Sequence, residues 1–282
     1  MADREFVFKP AVRLNTPMII GVSGASGAGK TFTALELAMG LAGGGRVLFL
    51  DTEGRRGLHY ADRFQFDHCD FAAPFPPRDF LQALKQAHTA KYAVIIVDSF
   101  SEEYTGEGGI TEMHDAELPR FKGNSIGAWA RPKAEHKLVV GWLRQSRCHV
   151  ILCLRADEKI KLDKNNKPID NSDAPPIERW VPICEKRLPY ELTTSFLLVP
   201  QKPGVPHPIK LQEQHAPFFP KGKPITRETG VRLAQWCAGG APAPVAPMPP
   251  TQAPRDRELE YAGDPGFGQW LPPADDPHLP PF

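Results

Sequence analysis

The chain has 282 residues and a formal charge of +1 at pH 7, and 41% of it is hydrophobic. The near-zero charge excludes a histone-like or polybasic protein, and the composition allows an ordinary soluble core. The 31 prolines are too many for one compact fold, and 12 of them lie in residues 240–282 with six acidic residues and two arginines. We therefore predict a folded domain over residues 1–239 and a disordered, proline-rich, acidic tail over residues 240–282.

Apolar runs bounded by turn residues alternate with helical patterns along the predicted domain. The predicted strands are, in chain order, Met18–Ser23, Arg46–Asp51, Asp67–Phe71, Tyr92–Asp98, His149–Leu154, Thr193–Val199 and Pro208–Leu211. The predicted helices are Lys30–Leu41, Arg78–Ala90, Pro132–Arg147 and Thr226–Cys237. Unbroken apolar strands between helices indicate a mainly parallel sheet covered on both faces, so we predict an α/β fold.

The cysteines and the N-terminus indicate a reduced, cytoplasmic setting. The five cysteines are odd in number and scattered, and the charged N-terminus lacks the apolar stretch of a signal peptide. No apolar stretch approaches the ~18 residues that span a bilayer, so we expect no membrane partner. Cys148, His149 and Cys153 are candidate zinc ligands, but they lie in an apolar, strand-like segment without a paired CxxC, and we predict packing residues instead.

Residues 24–31, GASGAGKT, join the first predicted strand to the first predicted helix and match G-x-x-x-x-G-K-[ST] at every fixed position. Such a loop curls its backbone N–H groups toward phosphate oxygens, and the helix N-terminus adds partial positive charge. We predict that Lys30 binds the β- and γ-phosphates of ATP and that Thr31 binds Mg²⁺. The predicted nucleotide-binding residues of the loop are Gly24, Gly27, Ala28, Gly29, Lys30 and Thr31.

A second predicted element of the site is VIIVDS, residues 94–99. Its four apolar residues are typical of a buried strand, and the aspartate that follows them lies at the carboxyl edge of the predicted sheet. Asp98 comes 67 residues after Thr31 in the chain. We predict that Asp98 supports the Mg²⁺ ion, in part through water.

Hydrolysis also requires a group that orients or activates water, and the residues offer two choices. Glu53 follows the second predicted strand in LDTEG, residues 50–54. Glu102 and Glu103 come shortly after Asp98. The residue types alone leave both choices open.

Three motifs together resemble the RecA-like P-loop ATPases: GASGAGKT at 24–31, LFLDTEG at 48–54 and VIIVDS at 94–99. The resemblance covers residues 16–160 and, more loosely, the chain to residue 239. It implies a RecA-like core with Mg²⁺-dependent ATP hydrolysis. The family's catalytic glutamate follows the strand after the loop helix in a D-x-E setting, which favours Glu53 as the catalytic carboxylate.

The resemblance also implies a role for Arg155, at the end of the strand after the Asp98 strand. The family places a residue that senses the γ-phosphate there, and its recombinases typically carry glutamine at that place. Arg155 is therefore a candidate phosphate contact in its own subunit or a neighbour's, and a solvated strand-end cation is the alternative. The short core is most similar to phage-encoded members linked to single-strand annealing and recombination, which implies work in a bacterial host cytoplasm.

In RecA-like proteins two loops bind single-stranded DNA, and here they correspond to residues 99–131 and 155–190. The second interval carries eight basic and seven acidic residues, together with Trp180 and Tyr190. Cations grip phosphates and aromatic rings stack on bases, so we predict single-stranded DNA as a partner. The alternative is a hairpin over Lys159–Ile169, turning at residues 165–166, with ordinary mixed surface charge.

Two further segments resemble known peptide motifs. Phe8 and Ala11 fit the Phe-x-x-Ala peptide that joins subunits in RecA-like filaments, which implies a homo-oligomer, whereas the same spacing at Phe80 and Ala83 indicates a helix face. The chain end, with an acidic pair before a terminal Pro-Phe, is similar to the C-terminal tip of bacterial single-stranded-DNA-binding proteins. It implies a partner that recognises such tips through Phe282, and an inert solubilising tail is the alternative.

Two other functions stay open at this point. The first is an ATP-dependent switch or assembly factor that acts on protein partners without binding DNA. The second is a small-molecule kinase, which is disfavoured because the sequence has no evident arginine-rich lid.

Overall fold

A computed structural model describes residues 6–8, 10–162, 164–165 and 167–239. The predicted tail over residues 240–282, with its terminal Phe282, lies outside the described residues. The domain boundary near residue 239 therefore stays a prediction.

The strands of the described residues form one large sheet and one small hairpin. They are β1 Ile19–Gly24, β2 Val47–Asp51, β3 Asp67–Asp70, β4 Val94–Asp98, β5 His149–Glu158, β6 Lys161–Leu162, β7 Pro168–Ile169, β8 Trp180–Pro182, β9 Thr194–Val199 and β10 Lys202–Lys210. The large sheet has the order β10-β9-β1-β5-β4-β2-β3, and β8 pairs with the end of β5. Every pairing in it is parallel except β10 with β9 and β8 with β5. The predicted α/β fold with a mainly parallel sheet is confirmed.

Helices cover both faces of the sheet. They are α1 Lys30–Leu41, α2 Pro77–Thr89, α3 Glu102–Thr105, α4 Ile110–Glu117, α5 Ser125–Ala128, α6 Ala130–Gln145, α7 Pro176–Arg179, α8 Leu188–Glu191 and α9 Arg227–Ala238, with 3₁₀ turns at Arg56–Tyr60, Leu118–Phe121 and Glu213–Phe218. Successive side chains of a strand point to opposite faces, so each strand contributes to two apolar layers. In β4, Ile96 packs in the layer that contains α1 and α9, and Ile95 packs in the layer that contains α2 and α6.

Helices α1 and α9 lie unusually close because each carries a glycine at their contact. A Cβ atom on Gly40 would lie 2.1 Å from the carbonyl oxygen of Arg227, and one on Gly230 would lie 2.3 Å from that of Leu37. Real Cβ atoms do not approach backbone atoms this closely. The glycines therefore permit the packing that holds α9 against the helix of the phosphate-binding loop.

The predicted elements occur at the predicted places, and most ends lie within two residues of the prediction. The exceptions are β5 and β10, which are both longer than predicted. β5 continues four residues past Leu154 because its end pairs with β8, and β10 begins at Lys202 because it pairs antiparallel with β9. The interval 99–131 contains α3, α4 and α5, so much of this predicted DNA-binding loop is helical.

The hairpin within the interval 155–190 is also present, with β6 paired antiparallel to β7. Its ladder joins Lys161 to Ile169. In the described part of the chain, no helix combines the length and the apolar character that crossing a bilayer requires.

Candidate nucleotide-binding site

The phosphate-binding loop lies between β1 and α1, as its sequence predicts. Gly27 and Gly29 have φ angles of +77° and +84°, in the left-handed region that glycine adopts at little cost. Within the described part of the chain no side chain caps the N-terminus of α1. The first N–H groups of this helix therefore face the loop without a side-chain partner, which is the arrangement that binds an anion.

Lys30 is the first residue of α1, and its side chain folds back over the loop. Its Nζ donates a hydrogen bond of 3.2 Å to the carbonyl oxygen of Ala25. The ammonium group thus lies at the loop, in position to meet phosphate oxygens.

Thr31 and Asp98 form the contact that joins the loop to the strand edge. Thr31 Oγ1 donates a hydrogen bond of 2.6 Å to Asp98 Oδ2. Asp98 is buried, and its Oδ1 atom has no hydrogen-bond partner among the described residues. Burial raises the pKa of Asp98 to about 6, against the opposing effect of the Thr31 hydrogen bond.

This pair fits a Mg²⁺ ion. A hydroxyl and a buried carboxylate with one unused oxygen are the hard oxygen ligands that Mg²⁺ takes together with phosphates and water. The raised pKa of Asp98 also fits a cation site, because a buried carboxylate without a compensating cation binds its proton more tightly. The predicted metal ligands therefore lie together.

Glu53 lies on the turn that follows β2 and faces the loop. Its side chain is 19% exposed, and its Oε2 accepts a hydrogen bond of 3.0 Å from Arg56 Nη1. Glu53 and Lys30 line the same cleft. A carboxylate in this position faces the loop to which the sequence assigns the phosphates.

The alternative carboxylates, Glu103 and Glu102, each contact another side chain. Glu103 is 1% exposed, and its Oε1 lies 2.8 Å from Nδ1 of His136 on α6. Burial raises the pKa of Glu103, with the contact to His136 acting against it. Glu102 lies 2.9 Å from the guanidinium of Arg155. Neither carboxylate lines the clefts around the loop, and the placement favours Glu53.

Arg155 lies beside the loop within its own subunit. Its Cα is paired with that of Gly24 across β5 and β1. The guanidinium contacts Glu102 and donates a hydrogen bond of 3.2 Å to Thr105 Oγ1. The side chain is 42% exposed and lines a cleft together with Lys30 and Glu53. The position is compatible with a phosphate contact, and the role stays a prediction.

Two adjoining clefts surround the loop, and we refer to them together as the nucleotide cleft. One, of about 500 Å³, extends past Thr31 to His59 and Tyr60. The other, of about 480 Å³, extends to Thr105, Arg155 and Ile183. Both are lined by Ser26, Lys30, Glu53 and Arg56.

The sequence reasoning missed several lining residues of this cleft: Ser26, Arg56, His59 and Tyr60. The last three lie on the 3₁₀ turn Arg56–Tyr60, directly after the LFLDTEG motif. Their nearness to Glu53 in the chain was the signal that could have found them.

A separate groove of about 390 Å³ lies in the predicted DNA-binding interval 155–190. We call it the aromatic groove, and its mainly apolar lining includes Trp180 and Tyr190 together with the charged residues Lys159, Lys186 and Asp157. Tyr190 is 62% exposed. Ile183 lines both the aromatic groove and the nucleotide cleft, so the two are adjacent.

Several charges of the same interval pair with each other. Arg179 Nε lies 2.5 Å from Glu158, and Lys161 Nζ lies 3.8 Å from Glu178. These ion pairs agree with the alternative interpretation, a hairpin with ordinary mixed surface charge. They also reduce the positive charge that is available to bind DNA. Lys159 and Lys186, which line the groove, are not in these pairs.

The two Phe-x-x-Ala matches differ in exposure. Phe80 is fully buried on α2, as expected of a helix face, whereas Phe8 is 92% exposed. An exposed phenylalanine is consistent with a subunit contact, and the homo-oligomer stays a prediction. Lys9, between Phe8 and Ala11, lies outside the described residues.

The model of one protein family, described as an AAA domain, matches residues 16–200. This range contains β1 to β9, and with them the loop, Glu53, Asp98 and Arg155. No curated protein matches the chain.

Proposed function

Because the chain belongs to the family of AAA domains and thus to the P-loop ATPases, we propose that it is a Mg²⁺-dependent ATP hydrolase that acts on single-stranded DNA. The observation that supports the hydrolase most directly is the Thr31–Asp98 hydrogen bond beside Lys30, with Glu53 facing the same cleft. The proposed setting is phage-type recombination, annealing or repair.

In the proposed site the loop N–H groups and the Lys30 ammonium bind the phosphates of ATP. Thr31 and Asp98 hold the Mg²⁺ ion, which when bound neutralises charge on the phosphate oxygens. Glu53 orients the attacking water and accepts its proton at the carboxylate. Arg155 supplies a further positive charge at the opposite end of the cleft from Tyr60.

The nucleotide cleft offers the adenine base two directions from the loop, and one of them ends at an aromatic residue. With the phosphates at the loop, the cleft continues past Thr31 to His59 and Tyr60. An aromatic ring at that end offers a flat apolar face for stacking, so we assign this end to the base.

The proposal of single-stranded DNA rests on the aromatic groove and its neighbour. Trp180 and Tyr190 offer faces for base stacking, worth ~1–3 kcal/mol per base, and Lys159 and Lys186 offer charge for phosphates. Because Ile183 lines both the groove and the nucleotide cleft, a strand in the groove would lie next to the ATP site.

The test is ATP turnover by the full chain with and without single-stranded DNA. The proposal predicts Mg²⁺-dependent turnover that rises when the DNA is added. Lys30→Ala is the control, and it is expected to show no turnover under either condition because the phosphate charge is left uncompensated. If single-stranded DNA neither binds to the protein nor changes its ATP turnover, the result would favour the ATP-dependent switch that acts on protein partners.

Self-association is a separate part of the proposal. If Phe8 joins subunits, Phe8→Ala is expected to lower the mass measured by light scattering at a fixed concentration with ATP present. Leu14→Ala, another exposed apolar residue of the same segment, is the control. Equal masses for wild type and Phe8→Ala would remove Phe8 from the interface.

A further inference from the structure

Asp51 is a buried carboxylate to which the proposed mechanism assigns no role. It ends β2, it is 1% exposed, and both of its oxygens are engaged inside the fold. Oδ1 accepts a hydrogen bond of 2.9 Å from the backbone N–H of Glu53. Oδ2 accepts one of 2.7 Å from the N–H of Gly57 and lies 3.0 Å from His68 Nε2 on β3.

Thr52 anchors the start of the segment that Asp51 holds, because its Oγ1 donates a hydrogen bond of 2.9 Å to the Ser99 carbonyl and accepts one of 2.7 Å from the Ser99 N–H. Residues 54–57, further along the segment, are held less firmly. Gly54 and Arg55 have φ angles of +67° and +68°, and a left-handed arginine costs free energy that the surroundings must offset. Two ion pairs also contact residues 53–57, Arg55 with Asp70 and Arg56 with Glu53, and the arginine of each is exposed. Exposed ion pairs contribute little to stability, whereas hydrogen bonds to a buried charged group contribute more.

Gly57 lies so close to Asp51 and Phe49 that a side chain at this position would collide with them. A Cβ atom on Gly57 would lie 2.6 Å from the Phe49 ring and 3.0 Å from Asp51 Oδ2. The turn is thus pressed against the end of β2, and its N–H groups point at the carboxylate. Asp51 thus clamps the N–H of Glu53 and the N–H of Gly57, which is the second residue of the 3₁₀ turn Arg56–Tyr60. Glu53 and residues of that turn line the nucleotide cleft.

We propose that Asp51 is the positioning residue of Glu53. It does not reach the cleft, and it acts by fixing the backbone from which the Glu53 side chain projects. The inference rests on the proposed function of Glu53 in hydrolysis. His68 is the third member of the cluster, since its Nε2–H holds Asp51 Oδ2 in place.

Asp51→Asn tests this arrangement with little change in volume. The amide oxygen can still accept from the Glu53 N–H, but the NH₂ group cannot accept from Gly57 or His68. The contact with the Gly57 N–H is therefore lost, and the contact with His68 is kept only if the imidazole changes tautomer and accepts from the NH₂ group. Asp67→Asn is the matched control, because Asp67 lies at the other end of the neighbouring strand β3 and contacts Arg46.

The experiment measures kcat and KM for ATP with full-length wild type, Asp51→Asn, Glu53→Gln, the double variant and Asp67→Asn. We expect Asp51→Asn to lower kcat at least about tenfold with a change in KM of less than about threefold. In the double variant we expect Asp51→Asn to lower the residual turnover of Glu53→Gln by less than about twofold, because its effect passes through Glu53. Asp67→Asn is expected to match wild type.

Each contrary result has a distinct meaning. If Glu53→Gln loses turnover but Asp51→Asn keeps it, the inference is wrong and the proposed function stands. The same holds if Asp51→Asn lowers turnover by an equal factor with and without Glu53, since its role would then be structural. If Glu53→Gln hydrolyses ATP as fast as wild type, Glu53 is not the catalytic carboxylate, and the inference about Asp51 is wrong as well.

A second pair of variants serves if Asp51→Asn does not fold. His68→Gln keeps an N–H donor near the place of Nε2, whereas His68→Ala removes it. We expect His68→Ala to lower kcat several-fold and His68→Gln to restore it to within about twofold of wild type. Equal kcat values for His68→Ala and wild type would overturn the proposal.

Discussion

Thr31 Oγ1 donates a hydrogen bond to Asp98 Oδ2, and this contact joins the start of α1 to the end of β4. Strand β5 lies between β1 and β4 in the sheet. The two residues still meet, because all three strands are parallel and end at one edge. The contact occupies one oxygen of a buried carboxylate and leaves Oδ1 without a partner among the described residues.

Asp98→Asn separates the stability of the fold from the binding of metal. Burial raises the pKa of Asp98 to about 6, so the folded state favours the protonated form and the ionised form at pH 7.5 costs stability. An asparagine keeps an acceptor for Thr31 without the charge. We expect the nucleotide-free variant to be more stable by about 1–3 kcal/mol in urea unfolding, and to lose Mg²⁺-dependent turnover. A less stable variant would contradict this account of Asp98.

Trp180→Ala and Tyr190→Ala test the aromatic groove. Each is expected to weaken binding of single-stranded DNA by ~1–3 kcal/mol, measured by fluorescence anisotropy at fixed salt, because each removes a stacking face. Turnover without DNA should stay near wild type. Tyr92→Ala, at the opposite end of the sheet beside Arg46, is the control for loss of an aromatic ring. Wild-type affinity in both groove variants would place the DNA elsewhere.

His149 predicts how stability depends on pH. Its Nδ1 accepts a hydrogen bond of 3.0 Å from the backbone N–H of Met18, and burial lowers its pKa to about 4. Because the pKa is lower in the folded state, stability is full above pH 6.5 and falls as pH drops from 6.5 toward 4, by on the order of 3 kcal/mol.

The variant His149→Asn keeps an acceptor near the place of Nδ1 but does not titrate in this range. Chemical unfolding at pH 7.5, 6, 5 and 4.5 should show the wild type losing more stability than the variant. Parallel curves would show that His149 is not the group responsible.

The tail supplies a prediction about partners. Phe282 lies outside the described residues, and its role as the recognised end of a tip-like segment stays a proposal. Deleting Phe282 alone is expected to abolish capture of a tip-recognising protein in a pull-down, because the deletion removes the aromatic ring that would enter the partner's pocket. ATP turnover should be unaffected. If capture survives the deletion, or if the intact chain captures nothing, the result would favour the alternative of an inert solubilising tail.

Much of the fold was predictable because its strands carry local signals. β2 and β4 are continuous apolar runs ended by an aspartate, and such runs between helices indicate parallel strands. The order of the strands was not predictable, since β4 and β5 have the same apolar pattern and either could lie beside β1. The extension of β5 to Glu158 depends on Trp180, which is distant in the chain.

One part of the site was predictable from the sequence, and another part was not. Lys30, Thr31 and Asp98 belong to motifs whose spacing defines their chemistry, and the structure places them together. The engagement of Glu103 depends on His136, 33 residues further along the chain. The clamp on the Glu53 turn depends on His68, 17 residues after Asp51. Contacts of this kind arise when the elements pack together, and no local sequence pattern predicts them.

The measurement that tests the central claim most directly is steady-state ATP turnover by Glu53→Gln, with Glu103→Gln as its matched control. The account predicts that Glu53→Gln binds ATP like wild type and loses turnover by about 10²–10⁴-fold, because a carboxamide keeps the shape of the side chain but cannot accept the proton. Glu103→Gln should retain turnover if it folds, since its carboxylate pairs with His136 away from the cleft. Normal turnover by Glu53→Gln, with loss in a folded Glu103→Gln, would contradict the account.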